Sequence, residues 1–195
     1  GISNERVTIE KLMQLTEVSR NTVLNDLNEI RESPTLERYN VKLLVTKAQG
    51  YFLDAHALAK IQFMYRLLYL IHTEASDSFL TIIHDKMSAF TTYGQVCTGE
   101  RIEFLKSCFI KQRSQFEKRL SPKDGEFLVQ ILPYLLMSYR NMRLSETEQD
   151  EFSKELLPME ERLEYRIAQA ICDDYCQHFH VHFDNIEVGI VALLL

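Results

Sequence analysis

The stretch LTEVSRNTVLNDLNEI, residues Leu15 to Ile30, places a lone hydroxyl, Ser19, ahead of Arg20, Asn21 and Thr22 and withholds its helical apolar residues until Val23. A serine just before a helix accepts a hydrogen bond from a free first-turn amide, so Ser19 is the expected N-cap. Val23, Leu27 and Ile30 follow at i, i+4 and i+7, with Leu24 beside them, and form one buried stripe. Asn21, Asn25 and Asn28 occupy the other face at the same spacing. Such a helix has one side for a partner and a polar opening turn left over.

Working outward, Thr8 caps an earlier helix whose inner residues are Ile9, Leu12 and Met13, and Thr16-Glu17-Val18 is a short connection. On the other side, Ser33-Pro34 ends the second helix. Val41 to Thr46, then Lys47-Ala48-Gln49-Gly50, then Tyr51-Phe52-Leu53 read as a hairpin, with Gly50 supplying a positive φ or a bulge. Two short helices joined by a tight turn and followed by a hairpin make a winged helix-turn-helix pattern.

The pattern explains the opening turn. A recognition helix buries one stripe and pushes its first turn into the major groove. Arg pairs with guanine and Asn with adenine, and helix N-termini favour phosphate. Ser19, Arg20, Asn21, Thr22 and Asn25 are therefore the candidates to read or position DNA, with Lys42 and Lys47 of the hairpin on neighbouring phosphates. Against this, residues 1–55 hold seven Lys/Arg and eight Asp/Glu, a net −1, which is not the basic footprint of a strong DNA binder. An asparagine stripe is also what any solvated helix face carries.

After residue 55 the character changes. Apolar residues recur at helical period, and helices are expected near 56–73, 76–90, 99–120, 122–142, 146–154, 159–178 and 185–195, with a loop at Tyr93–Cys97. The starts are marked by Ser121-Pro122-Lys123-Asp124, Ser145-Glu146-Thr147-Glu148, Pro158-Met159-Glu160-Glu161 and Asp184-Asn185-Ile186-Glu187. The fold expected is mainly α: a winged helix-turn-helix in 1–55, then an all-α bundle in 56–195. With 195 residues, 46% hydrophobic and 26% charged, the chain has the composition of a globular protein. Its apolar runs are too short to span a membrane, and four cysteines do not make a disulfide scaffold, which points to the cytoplasm. The net charge of −6 argues against indiscriminate nucleic-acid binding by the whole chain. No initiator Met opens the sequence and Ile190–Leu195 has no stop signal, so a piece of a longer protein is expected, truncated at its C-terminus.

Val18-Ser-Arg-Asn-Thr-Val-Leu-Asn-Asp-Leu27 resembles the recognition segment of bacterial regulators that carry phosphotransferase-system regulation domains (PRDs), and Gly50-Tyr-Phe-Leu53 resembles the close of their wing. Leu120-Ser-Pro-Lys-Asp124, Tyr139–Leu144, and Phe179–Phe183 with Glu187 are similar to segments of the regulation domain itself. The nearest types are mannitol-operon-activator-like and Mga-like regulators. The resemblance implies a dimeric DNA-binding transcription activator of sugar-uptake or virulence genes, with double-stranded DNA and phosphotransferase-system proteins as partners. It departs from the pattern in two ways. The phosphorylated histidines would fall near Pro133 and Leu194, and neither is His. The helix that precedes the one at Thr8 in this family has no counterpart, which would expose apolar surface on Leu12, Val23 and Leu27.

Other chemistries are weaker. Cys172 and Cys176 at i, i+4, with His178, His180 and His182, have the donor types of a zinc site, but Cys172 also continues the Ile167, Ala168, Ile171 core stripe, and Phe179, Val181 and Phe183 alternate with the histidines as buried members. His72 and the His84-Asp85 pair read as surface residues. Arg101, Lys106, Lys111, Arg113, Lys118 and Arg119 make one helix basic, which reads as a solvated face or a second contact. Met137, Met142, Tyr134 and Tyr139 read as core. No cofactor, metal or enzymatic motif is expected. The rival to DNA binding is a protein-interaction module built on the same winged fold.

Overall fold

The computed structural model describes residues 6–46, 50–74, 82, 99–115 and 122–195. The expected helix 76–90 and loop 93–97, together with Lys47, Cys97 and the His84-Asp85 pair, lie outside the described residues. The described part is mainly helical with one antiparallel hairpin, as the sequence leads one to expect.

Local capping builds the N-terminal elements. Thr8 is extended, and its hydroxyl accepts from the Lys11 amide at 3.2 Å to start α1 (Ile9–Thr16). Glu17 ends α1 in the left-handed region (φ 58°), with its amide donating to the Met13 carbonyl at 2.8 Å. Val18 and Ser19 link the helices; Ser19 is extended, and its Oγ accepts from the Thr22 amide at 3.2 Å to open α2 (Arg20–Arg31). Ser33-Pro34 stops α2 but does more than stop it. Proline needs no amide partner at a first helical position, and Ser33 caps a short α3 (Pro34–Arg38) that the sequence reading missed. Asn40, at φ 51°, then turns the chain into β1 (Lys42–Thr46), which pairs with β2 (Gly50–Asp54) from Lys42↔Asp54 to Thr46↔Gly50.

A third segment joins the hairpin by one isolated bridge: Val7 and Tyr51 exchange amide-to-carbonyl bonds at 2.9 Å each. Val23, Leu27, Leu36, Val41 and Leu43 form the core beneath, each worth about 1.5–3 kcal/mol when fully buried. Ile9, Leu12 and Met13 close it from α1 while half exposed themselves. Of the bare patch expected on Leu12, Val23 and Leu27, the last two are 4% and 7% exposed, because Leu36, Val41 and Leu43 pack with them, and Leu12 is partly buried against the same core. α4 (Ala57–Glu74) packs on the same core through Phe63, which meets Tyr39 edge-on at 6.1 Å. The described residues up to 74, with Ser138–Arg143, form one compact unit.

The second unit takes in the remaining described residues. Its helices are α5 (Gly99–Gln115), α6 (Pro122–Met142, apart from the last turn), α7 (Glu146–Leu156), α8 (Leu163–Phe179) and α9 (Asn185–Leu193). Capping boxes start α7 (Ser145 with Glu148) and α9 (Asp184 with Glu187). Pro133 sits inside α6 without breaking it. α8 was expected from residue 159. Instead Leu157–Met159 makes one 3-10 turn at Pro158, and Arg162, in extended conformation, resets the chain before α8. α9 packs between α8 and α7 and is buried almost all round, from Ile186 to Ala192. Gly189 allows this: a β-carbon there would lie 2.5 Å from Leu156 Cδ1.

Candidate nucleic-acid interface

The opening turn of α2 is held by its cap. Ser19 Oγ lies 2.9 Å from Thr22 Oγ1 as well as 3.2 Å from the Thr22 amide, which locks the turn in shape. Ser19, Arg20, Asn21, Thr22 and Asn25 are all exposed; Asn21, Thr22 and Asn25 lie on the side of α2 away from buried Val23 and Leu27, whereas Arg20, three residues before Val23, lies on the side toward α1. The five predicted residues are thus all accessible at the start of α2, three of them on its outer side and Arg20 beside α1.

Arg20 is not isolated on that surface. Its Nη1 donates to Glu10 Oε1 on α1 at 3.1 Å, with the side chains 57% and 68% exposed. The Glu10 carboxyl is held below the usual carboxylate range, first by its own helix-start amide and then, against a burial penalty, by the Thr8 hydroxyl and Arg20. Lys42 is exposed at the start of β1. Lys47 belongs to the turn outside the described residues.

Two residues missed in the sequence reading enter here. Glu10 is one. Arg6 is the other: its guanidinium lies 4.8 Å from the Phe52 ring centroid, and its Nη1 donates to Thr46 Oγ1 at 3.3 Å. That puts a cation on the hairpin beside β1. No local spacing could reveal it, since Arg6 and Thr46 are 40 residues apart. Glu10 and Arg20 face each other only because the tight turn brings the start of α1 against the start of α2.

Three cations of the expected basic helix have partners within the second unit. Lys111 pairs with Asp174 of α8 at 2.7 Å, Lys106 with Glu103 at 2.8 Å, and Arg101 lies over Phe179 at 4.7 Å. Lys118 and Arg119 are outside the described residues. An open cleft of about 520 Å³ lies here, between α5 and α8, with Phe104, Lys111, Asp174 and His178 on its walls. His178 stacks on Phe104 at 3.9 Å, and His180 ends α8 in the left-handed region at φ 52°. Cys172 is buried in the α8 stripe, and burial pushes its thiol well above the ordinary range. Cys108 is raised too, by burial and then by Asp174. Among the described residues no group of three or more His, Cys, Asp or Glu is placed to hold a metal, and no helix is long and apolar enough to cross a membrane.

The fold and its exposed opening turn define the N-terminal part as a winged helix-turn-helix, a class that places its second helix in DNA. Residues 3–40 match the DeoR-like helix-turn-helix domain family, which supports a DNA-binding transcriptional regulator. The match takes in α1, α2 and α3 and ends before β1. No curated protein and no solved structure matches the chain.

Proposed function

We propose that the chain is a sequence-specific DNA-binding regulator in which Arg20, Asn21, Thr22 and Asn25 address the major groove, Ser19 fixes the turn, and Lys42, Lys47 and Arg6 meet phosphates. The observation that carries the reading is the exposed polar opening turn of α2 backed by buried Val23 and Leu27. The finer picture is a cytoplasmic homodimer without enzymatic activity, an activator of sugar-uptake or virulence genes. There the 56–195 region is a PRD-like regulatory and dimerisation domain that answers to phosphotransferase-system proteins. Its support is the resemblance of Leu120–Asp124, Tyr139–Leu144 and Phe179–Phe183 to that domain.

Charge sets the test. Each phosphate neutralised on a duplex releases counterions and adds about −0.9 to the slope of log affinity against log salt. Three phosphate-contacting cations per protomer, doubled in a dimer, predict a slope near −5 in a mobility-shift series. A protein-interaction module is the second reading, favoured by the net −1 of residues 1–55 and by the Glu10 carboxylate on Arg20. It predicts no duplex shift at low salt, and that result would remove the DNA reading.

A further inference from the structure

α2 carries two cations, Arg20 in its first turn and Arg31 in its last, so Arg20 is the one cation in the part of the helix that enters a groove. That cation is already occupied. The carboxylate of Glu10 lies 3.1 Å from its Nη1, across the two helices of the motif. Both side chains are more than half exposed, and an exposed pair of this kind adds little to folding. Its consequence lies at the surface it occupies. A phosphate must compete with a fixed carboxylate for the same guanidinium. Asn21, Thr22 and Asn25, which are neutral, meet no such competitor in Glu10.

We propose that Glu10 is a specificity-determining residue that acts through Arg20. It holds the guanidinium against α1, keeps the first-turn cation of α2 from pairing with phosphates of arbitrary sequence, and so leaves Arg20 to act only in that held position, beside the amides and hydroxyl of Asn21, Asn25 and Thr22. Binding to unrelated DNA is almost wholly electrostatic, whereas hydrogen bonds to base edges carry the sequence information. Withdrawing one cation therefore lowers non-specific binding more than specific binding. Glu10 is thus a positioning residue, and the inference rests on the DNA-binding reading above.

The test is a double-mutant cycle on the whole chain with two duplex probes of equal length. One is a site enriched from a random library by the chain itself; the other is an unrelated sequence. Glu10→Gln keeps the size and an accepting oxygen but removes the charge. It should tighten binding to the unrelated duplex by about two- to fivefold at low salt and steepen its salt slope by about one unit per protomer. Affinity for the enriched site should rise less, so the ratio between the two probes falls. In an Arg20→Gln background, Glu10→Gln should change neither probe. An equal gain from Glu10→Gln in the presence and absence of Arg20 would show simple charge repulsion and overturn the inference while sparing the DNA-binding reading. So would the absence of any gain. Failure of the wild-type chain to shift any duplex would overturn the reading and the inference together. Matching thermal melts for the four proteins keep folding out of the comparison.

Discussion

Gly50 shows how one residue fixes the wing. Its φ of +88° lies where L side chains are strained, and a β-carbon there would lie 2.6 Å from the Val7 carbonyl oxygen. That oxygen is an acceptor in the rung between Val7 and Tyr51, so it cannot yield without opening the rung. Gly50→Ala should therefore destabilise the winged unit by about 2 kcal/mol or more, from backbone strain plus a clash with main chain. Equilibrium urea unfolding checks this, and a loss below about 0.5 kcal/mol, the usual surface effect, would mean the N-terminal segment is not held against β2. Gly189 presents the milder case. Its obstacle is the end of a leucine side chain, which can rotate, where Gly50 meets backbone.

The elements were legible in the sequence wherever a local signal marks them. Thr8, Ser19, Ser145 and Asp184 each accept from an amide three residues ahead, so capping could be read three or four letters at a time. α3 was not legible, because Ser33-Pro34 both ends one helix and begins the next, and only the ending was read. The start of α8 was missed for a related reason: Pro158 nucleates a 3-10 turn, and the helix proper begins five residues later at Leu163 with no side-chain cap. Of the candidate interface, the exposed polar face of α2 followed from helical periodicity. Its coupling to Glu10, and the place of Arg6 on the hairpin, depend on contacts between elements that no short window contains. The Ser19 cap offers a direct test at this scale. Ser19→Ala removes the acceptor for the Thr22 amide and should cost about 1 kcal/mol of stability, and Ser19→Asp should recover most of it. Thermal unfolding of the three proteins reads the effect; equal stability of the alanine and wild-type proteins would mean the opening turn of α2 is fixed by something other than its cap.

At the scale of the molecule, the buried side chains among the described residues are divided between two compact units. One centres on Val23, Leu27, Leu36, Val41 and Leu43, with α4 fastened to it through Phe63 against Tyr39. The other includes Phe152, Leu156, Ile167, Ile171, Ile190 and Val191. α4 thus joins the winged fold by packing, although its sequence carries no winged-helix signal and lies beyond the boundary at residue 55 expected from pattern. Phe63→Ala removes a half-buried ring from the first core and should cost roughly 2 kcal/mol, less than the 3–5 kcal/mol of a fully buried phenylalanine. Stability is not uniform across a structure, and amide hydrogen exchange reports it region by region. In this variant, protection at the amides of Val23, Leu27 and Val41 should fall by about thirtyfold, the factor that corresponds to 2 kcal/mol, if those amides exchange by unfolding of the first unit. Protection at Ile167, Ile171 and Ile190 should hold. An equal fall in both sets would show that the chain unfolds as one cooperative body. No change in the first set would show that α4 is only a passenger on the winged fold, and that the DNA-facing unit ends where its hairpin does.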